Sequence, residues 1–296
     1  MKVALLGPLV KDKITVDRAT SVRIGGIPYY QAIALKSLGS DASVFATYAP
    51  EDDAWIRRHF KNIEVAHIPA ERTIEFERMY SSANPDACVS VETRYAKNNI
   101  GPSPELINRL NSFDYVIFGP LFHDNISPAL FASVKKEKNI LGNFGMFTYP
   151  ASGGLVWKNP ENLLHIAPYL SYIFLDDREI MFVAQKKSID EAVKFLQTKT
   201  NATIVVTRGS RGSIVFSDGG RFVAPAFPPK KICDSTGAGD TYAAAFVRAL
   251  KLYKNSASQG TFAAMAATMK LERRGAFGGE VRDVLSRLAE RGIVLS

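Results

Sequence analysis

The heptapeptide Asp234-Ser235-Thr236-Gly237-Ala238-Gly239-Asp240 is the most informative stretch of this chain. An apolar run at residues 220–227 predicts a strand before it, and good helix formers at residues 242–250 predict a helix after it. The small residues 237–239 would leave backbone N–H groups unshielded at the helix start, where the helix dipole favours an anion. Asp240 falls in the first helical turn, where we expect the dipole to keep it ionised and available as a base. A bound phosphate beside a free carboxylate indicates phosphoryl transfer to a hydroxyl.

An ordinary helix cap is the alternative interpretation of this turn, because small residues and Asp are common at helix starts. Two glycines, one alanine and two flanking aspartates in a single turn favour anion binding instead. The turn is not a dinucleotide fingerprint, which requires Gly-x-Gly-x-x-Gly after a first strand. It is not a P-loop either, because no Gly-Lys-Ser/Thr follows.

The heptapeptide closely resembles the C-terminal signature of the ribokinase-like sugar and nucleoside kinases, the PfkB family, which is usually Asp-Thr-x-Gly-Ala-Gly-Asp. Other segments are similar to motifs of that family, occur in the expected order and extend the resemblance over essentially the whole chain. They are residues 7–12, similar to a first strand that ends in a substrate-binding Asp; the pair Gly25-Gly26; residues 176–179, similar to Asn-x-x-Glu; and residues 207–212, similar to Thr-x-Gly-x-x-Gly.

The fold class predicted is a three-layer α/β/α arrangement around a mostly parallel central sheet. Strand-like apolar runs alternate with helix-like stretches through most of the chain, which indicates a parallel sheet with helices on both sides. The resemblance implies the same fold with a small β lid over the substrate. The predicted kinase core comprises residues 1–12, 25–70 and 98–296, and the predicted lid comprises residues 13–24 and 71–97.

The lid prediction depends on two segments that break the alternation. Residues 13–24 predict a short strand pair, and residues 74–80 and 87–95 alternate polar and apolar side chains as a hairpin does. From periodicity alone, an ordinary surface hairpin is an equal alternative.

The resemblance assigns roles to individual residues. The catalytic residues implied are Asp240 as general base with Gly237, Ala238 and Gly239 as an anion hole. The substrate-binding residues implied are Asp12, Gly25, Gly26 and Tyr30. The nucleotide-binding residues implied are Thr207, Gly209, Gly212, Thr236 and Gly237. The metal-linked residues implied are Glu179 and Asp176. The structural alternatives are an ordinary turn for Asp12, for the glycine pair and for the 207–212 segment, a core position for Tyr30, and helix N-terminal acids for Asp176 and Glu179.

Two positions depart from the family pattern. Asp176 stands where the family has Asn, which adds a negative charge near the expected metal. Tyr30 stands four residues after the glycine pair, where many sugar kinases carry a substrate-binding Asn. This second departure points away from ribose and fructose as the acceptor.

The function predicted is an ATP-dependent kinase that phosphorylates a hydroxyl of a small polyhydroxylated acceptor, a sugar or an inositol-like polyol. ATP and Mg²⁺ are the expected cofactors, with a monovalent cation as a further candidate. One alternative is a nucleoside kinase in which Tyr29, Tyr30 or Phe76 stacks on a base. Another is a non-catalytic relative that binds a sugar or nucleotide.

Composition narrows the remaining classes of protein. The 296 residues are 46% hydrophobic, which suits a chain that buries a core. The net charge of +8 comes from scattered basic pairs interrupted by acids, so we expect no nucleic-acid partner. No apolar run would span a membrane, no signal peptide is evident, and Cys88 and Cys233 form no metal-type pair, so a cytoplasmic location is expected. A homodimer through an exposed edge of the lid is a further candidate.

Overall fold

The computed structural model describes residues 1–17, 19–81, 84–142, 145–152 and 154–296. The strands are β1 (Lys2–Pro8), β2 (Val10–Val16), β3 (Ala19–Gly25), β4 (Asp41–Tyr48), β5 (Glu64–Pro69), β6 (Ile74–Ser81), β7 (Asn84–Arg94), β8 (Tyr115–Phe118), β9 (Asn139–Leu141), β10 (Thr148–Ala151), β11 (Gly154–Trp157), β12 (Tyr172–Asp176), β13 (Thr203–Thr207), β14 (Ser213–Ser217) and β15 (Gly220–Ala224). The α-helices are α1 (Ile27–Ser37), α2 (Asp53–Arg57), α3 (Pro104–Asn111), α4 (Pro128–Ser133), α5 (Glu161–Ile166), α6 (Asp177–Ala184), α7 (Ile189–Gln197), α8 (Ala238–Ala249), α9 (Ser256–Leu271) and α10 (Val281–Ala289).

The central sheet has nine strands in the order β15-β14-β13-β12-β9-β8-β1-β4-β5. The pairs from β13 through β5 are parallel, and β14 and β15 add an antiparallel edge. Its central strands are nearly continuous apolar runs such as Thr203–Thr207, because both faces of a parallel sheet are covered. Catalytic groups are therefore expected at the carboxyl ends of these strands, where parallel α/β sheets bind ligands.

Two separate apolar clusters cover the two faces of this sheet. One cluster joins sheet residues to α1, α8, α9 and α10. The other joins sheet residues of the opposite face to α3, α4, α5, α6 and α7. This arrangement confirms the predicted three-layer fold.

A second sheet of four strands, in the order β3-β2-β6-β7, contains the segments that break the α/β alternation. The strand pair β2–β3 and the hairpin β6–β7 that periodicity predicted both form, and β2 pairs with β6 in parallel. Residues 82 and 83, within the predicted hairpin connection, lie outside the described residues. Asp12 lies within β2, whereas the sequence analysis had placed it at the end of the first strand; the chain ends β1 at Pro8 and starts the new strand at Val10.

The strand that precedes the 234–240 turn is shorter than predicted. It ends at Ala224, where Pro225, Pro228 and Pro229 follow and cannot donate ladder hydrogen bonds. A segment without regular secondary structure therefore carries the chain from β15 to the turn.

Candidate active site

A pocket of about 260 Å³ lies where β12 and β13 end and α8 begins, and we call it the sheet-edge pocket. Several residues that the sequence analysis selected line it together. They are Asp176, Glu179, Thr207, Gly237, Ala238, Gly239 and Asp240. Gly142 and Ser235 also line it. Ser235 belongs to the heptapeptide but was given no role, and Gly142 was missed because it belongs to no recognisable chemical pattern. The fold thus brings the start of α6, the end of β13 and the 234–240 turn to one cavity.

The 234–240 turn opens α8 without a side-chain cap. Gly237 is the N-cap residue in the left-handed conformation (φ 79°), and it has no side chain to accept from the first helical N–H groups. A helix leaves the N–H groups of its first turn without intrahelical acceptors. The Ala238 N–H donates to the Ser235 carbonyl at 3.2 Å, and the other N–H groups of this first turn can donate to an anion in the pocket.

Asp240 lies in the first turn of α8 with an unsatisfied oxygen. Within the described part of the chain, its buried Oδ1 atom has no hydrogen-bond partner. Burial raises the pKa of Asp240 to about 7. The expectation that the helix dipole keeps this group fully ionised is therefore wrong, because loss of water around the carboxylate outweighs the dipole. A carboxyl group with a pKa near 7 is well matched to general-base catalysis at neutral pH.

Asp176 and Glu179 lie opposite, at the start of α6, and form a capping box. Asp176 Oδ1 accepts hydrogen bonds from the backbone N–H groups of Arg178 and Glu179, each at 2.8 Å, and Glu179 Oε2 accepts one from the backbone N–H of Asp176 at 2.6 Å. Burial, followed by the negative charge of Asp176, raises the pKa of Glu179 to about 8. Asp176 and Glu179 therefore do cap α6, which was the structural alternative for these acids, and this capping role does not depend on a metal.

The pocket suits a hydrated cation better than a directly ligated one. In the residues that the structure describes, no group of three or more His, Cys, Asp or Glu side chains is arranged to hold a metal ion. One oxygen of Asp176 and one of Glu179 are already used by the cap. Three carboxyl groups, those of Asp176, Glu179 and Asp240, nevertheless line one small cavity. Their oxygens suit a cation that keeps most of its water, and a bound cation would favour the ionised forms of Glu179 and Asp240.

Asp12, Gly25 and Tyr30 form a cluster beside the 234–240 turn. Asp12 is buried, its Oδ1 lies 3.7 Å from Arg78 Nη1, and a side chain on Gly25 would overlap its carboxylate. The ring of Tyr30 lies against Gly237, so a side chain at Gly237 would overlap this ring. The cluster therefore connects the second sheet to the start of α8.

The electrostatics of this cluster differ from those of Asp240. Burial raises the pKa of Asp12, while the positive charges of Arg78 and Arg23 oppose that shift. Burial and the nearby charges of Asp12, Asp234 and Asp240 raise the pKa of Tyr30. Sequence reasoning missed Arg78, although its position in an alternating strand next to β2 could have indicated a partner for Asp12. Gly26 is the N-cap residue of α1.

The predicted nucleotide-side residues are only partly brought together. Thr207 ends β13 and lines the sheet-edge pocket next to Asp176, its partner on β12. Gly209 and Gly212 lie in the turn between β13 and β14, which is closed by a 2.8 Å hydrogen bond from Arg208 N–H to the Gly212 carbonyl, and neither lines the pocket. Thr236 donates its backbone N–H to Asp234 Oδ1 at 3.0 Å.

Comparison with protein families gives one match that spans most of the chain. The model of the pfkB family carbohydrate kinases matches residues 8–280. Among curated proteins, a nucleoside kinase of Methanocaldococcus jannaschii is 25% identical over 143 residues, which are 48% of this chain and 46% of that protein. The curated relatives found first are each matched over less than half of their length.

Two solved structures illustrate the similarity in fold. Ribokinase of Arabidopsis thaliana, complexed with ribose and ATP, has a TM-score of 0.77 at 17% identity and covers 97% of this chain and 98% of its own. A pyrophosphate-dependent kinase in the ribokinase family, complexed with a pyrophosphate analog and myo-inositol, has a TM-score of 0.77 at 22% identity and covers 96% of this chain and 99% of its own. At these identities the likeness shows a shared fold.

Proposed function

This chain belongs to the pfkB family of carbohydrate kinases, and from that premise we propose that it transfers the γ-phosphoryl group of ATP to a hydroxyl of a small polyhydroxylated acceptor. One observation carries the proposal. The buried Asp240 Oδ1 atom lacks a hydrogen-bond donor within the described residues and lies at an uncapped helix start that can bind an anion. A base and an anion site in one pocket are two of the parts that phosphoryl transfer to an alcohol uses.

In the proposed reaction, Asp240 accepts the proton of the acceptor hydroxyl as that oxygen forms its bond to the γ-phosphorus. The bond between this phosphorus and the bridging oxygen breaks, and ADP leaves with that electron pair. The backbone N–H groups at Gly237, Ala238 and Gly239 stabilise the negative charge on the group in transfer. The fixed position of these donors at the start of α8 means that little reorganisation is needed.

Glu179 and Asp176 are the residues we propose to hold Mg²⁺, through water, at the entrance of α6. Asp176 Oδ2, which lies 3.3 Å from Arg178 Nη2, and the second oxygen of Glu179 stay outside the cap. Together with the Asp240 carboxyl they offer oxygens to a cation that keeps its waters and also binds phosphate oxygens. When bound, magnesium supplies neutralisation of phosphate charge. A monovalent cation stays a candidate cofactor.

Asp12, Gly25, Gly26 and Tyr30 are proposed to bind the acceptor. The Asp12 carboxylate can accept hydrogen bonds from two hydroxyl groups of a polyol, and its Oδ1 has no hydrogen bond from the described residues. Residues 13–24 and 71–97 are proposed to act as a lid that keeps water from replacing the acceptor. Thr207, Gly209, Gly212 and Thr236 are proposed to contact the nucleotide.

We propose a polyol over a nucleoside as the acceptor because of how the candidate stacking rings are packed. Tyr29 and Tyr30 pack edge to face with ring centroids 5.1 Å apart, and Phe76 stacks on Phe122 at 6.2 Å. These rings, proposed as stacking surfaces for a base, are thus already engaged with other rings. The myo-inositol named for one structural neighbour supports the polyol, and the nucleoside kinase found among the curated relatives supports the alternative acceptor.

The location and assembly of the protein are also part of the proposal. Among the described residues, no helix is long and apolar enough to cross a lipid bilayer. We propose a cytoplasmic protein without a nucleic-acid partner. A homodimer through the second sheet, whose edge strand β3 exposes Val22, stays a prediction that analytical ultracentrifugation would test.

The proposal is tested by product release across a panel of acceptors and donors. Sugars, inositols, sugar acids and nucleosides are each supplied with Mg²⁺ and either ATP or pyrophosphate, because one structural neighbour is described as pyrophosphate-dependent. The Asp240→Ala variant runs in parallel. We expect a polyol to be phosphorylated from ATP and the activity to be lost in the variant.

Other results of this panel would change the proposal in defined ways. A nucleoside as the best acceptor would replace the polyol, and activity with pyrophosphate alone would replace the donor. Binding of ATP without turnover would favour a non-catalytic relative. Equal activity of the Asp240→Ala variant would overturn the role of Asp240.

A further inference from the structure

Lys270 is a charged side chain that is fully excluded from solvent. It lies in the last turn of α9, and its exposed fraction is 0%. Lysine is almost never fully buried unless it is paired, because removing an ammonium group from water is costly. Nothing in the proposed chemistry uses this residue, so its burial requires another explanation.

The ammonium group of Lys270 is held by oxygens of the 234–240 turn and of the segment after α9. Its Nζ donates to the Asp234 carbonyl at 2.9 Å and to the Arg273 carbonyl at 3.5 Å, and it lies 3.9 Å from Asp234 Oδ2. An ammonium has three donors and no acceptor, so two of these donors have a carbonyl acceptor and Asp234 Oδ2 adds a carboxylate at ion-pair distance. The negative charge of Asp234 partly offsets the cost of burying the cation.

Asp234 is the link between this ammonium and the anion-binding turn. Its Oδ1 accepts the Thr236 N–H at 3.0 Å, and its Oδ2 accepts the Gly275 N–H at 3.2 Å. The backbone N–H of Cys233 donates to the Leu271 carbonyl at 2.8 Å, which fastens the same segment to α9. The conformation of the turn before Gly237 therefore depends on contacts that converge on the end of α9.

We propose that Lys270 is a positioning residue whose buried ammonium group fixes the 234–237 turn in the shape that binds the transferred phosphoryl group. The inference rests on the proposed function for its kinetic consequences. Asp234 is bonded through its carbonyl to Lys270 and through its carboxylate to Thr236, so a displaced Asp234 would move the backbone that leads directly to Gly237. Misplacement of such donors by about 1 Å can cost on the order of 10²-fold in rate.

The first experiment compares Lys270→Met with Lys251→Met. Methionine keeps most of the length of the side chain and removes the charge, and Lys251 is an exposed lysine that serves as the matched control. We expect Lys270→Met to lower kcat by about 10²-fold and to raise the KM for the phosphate donor, with the KM for the acceptor unchanged. Lys251→Met is expected to behave like the unmodified protein.

Amide hydrogen exchange provides a readout that does not depend on kinase activity. We expect amides at residues 235–241 to exchange faster in Lys270→Met than in Lys251→Met, while the amides of β12 and β13 stay equally protected in both. If the unmodified protein shows no kinase activity, that result counts against the proposed function alone. The hydrogen-exchange comparison still decides the role of Lys270. Unchanged exchange at 235–241 would overturn the inference.

Chemical rescue tests whether the charge itself is required. Lys270→Ala leaves a space at the same oxygens, and we expect ammonium or methylammonium to restore part of kcat and to raise Tm, whereas tetramethylammonium is too large and cannot donate. This variant also covers the case in which Lys270→Met does not fold. Rescue by none of these cations, or equal effects of all three, would overturn the inference.

Discussion

Helices α6 and α8 both begin at the sheet-edge pocket with an acid in the first turn, yet their starts are satisfied in opposite ways. At α6, Asp176 and Glu179 close the helix start with a reciprocal capping box. At α8, the N-cap is Gly237, no side chain caps the helix, and Asp240 Oδ1 has no hydrogen-bond partner in the described part of the chain. The first helix start is capped by its own side chains, whereas the second has only the Ala238 N–H bonded to the Ser235 carbonyl and leaves Asp240 Oδ1 available to a ligand.

This difference shows that an acid in the first turn of a helix can indicate either a helix cap or a ligand-binding site. An acid in the first turn of a helix is favoured by the helix dipole in either case. Only the residue at the N-cap decides whether the N–H groups are consumed internally, since Asp accepts from them and Gly does not. The phosphoryl-transfer step is therefore expected at the start of α8. The start of α6 is expected to contribute carboxyl groups and a rigid side of the sheet-edge pocket.

The largest expected effect comes from Asp240→Asn, which keeps the shape of the side chain and removes the base. We expect kcat to fall by about 10²–10⁴-fold. The variant should be at least as stable as the unmodified protein at pH 8, because it no longer buries a carboxylate without a partner. Kinetics with the best acceptor and thermal unfolding of the same samples check both parts, and a kcat near that of the unmodified protein would contradict the assignment.

The second prediction compares alanine at two glycines of the same turn. Gly237→Ala would place a side chain on a left-handed residue and against the Tyr30 ring, so we expect a loss of about 1–3 kcal/mol in unfolding free energy and a fall in kcat of about 10²-fold. Gly239→Ala adds its Cβ within α8 where no atom lies within 4 Å, so its unfolding free energy should rise by about 0.4–1 kcal/mol. Denaturant unfolding and kcat, measured for both variants, test the pair; equal behaviour would show that the uncapped turn needs no particular shape.

Much of this comparison could be predicted from local sequence, and part of it could not. The 234–240 turn was predictable because its glycines and acids are contiguous, and β13 because Thr203–Thr207 is a continuous β-branched run. The position of Asp12 was not predicted, although the dipeptide Gly7-Pro8 is a turn signal that could have separated β1 from β2. The contact of Tyr30 with Gly237 joins residues that are distant in the chain.

The burial of Lys270 was equally invisible in the sequence. Lysine is normally exposed, and the groups that hold its ammonium are mostly backbone carbonyls, which every residue carries. A sequence can indicate a helix that contains Lys270, but only the packing of α9 against the 234–240 turn determines that this face is closed to water.

The third prediction concerns pH and follows from the raised pKa of Asp240. Because the base must be deprotonated, we expect kcat/KM to rise about tenfold per pH unit below pH 7 and to level off above it. In the folded protein Asp240 and Glu179 both have raised pKa values, so between about pH 4 and 8 the folded state binds more protons than the unfolded state. Their contribution to stability therefore falls as pH rises through this range.

Because the contribution of these two groups to stability increases on acidification, the pH dependence of kcat/KM tests the protonation of the base and not unfolding of the protein. These two groups stabilise the fold at pH 5.5 relative to pH 7.5, so a loss of activity on acidification cannot come from unfolding that they cause. Circular dichroism at both pH values is the control. An activity that stays constant from pH 7.5 to 5.5 would contradict a base with this pKa.

The smallest expected effect distinguishes a cap from a catalytic group at α6. Asp176→Ala removes the acceptor for two backbone N–H groups, so we expect a loss of about 1 kcal/mol in unfolding free energy. Asp176→Asn keeps an acceptor oxygen and should change stability by less than about 0.5 kcal/mol. It also restores the amide that is usual in the family and should leave kcat at saturating Mg²⁺ nearly unchanged, because water-mediated contacts to magnesium do not require this particular charge. Titration of activity with Mg²⁺ for both variants checks this. If Asp176→Asn instead lowers kcat as strongly as Asp240→Asn does, the Asp176 carboxylate takes part in catalysis as Asp240 does. Its role in metal binding then matters more than its role in the capping box.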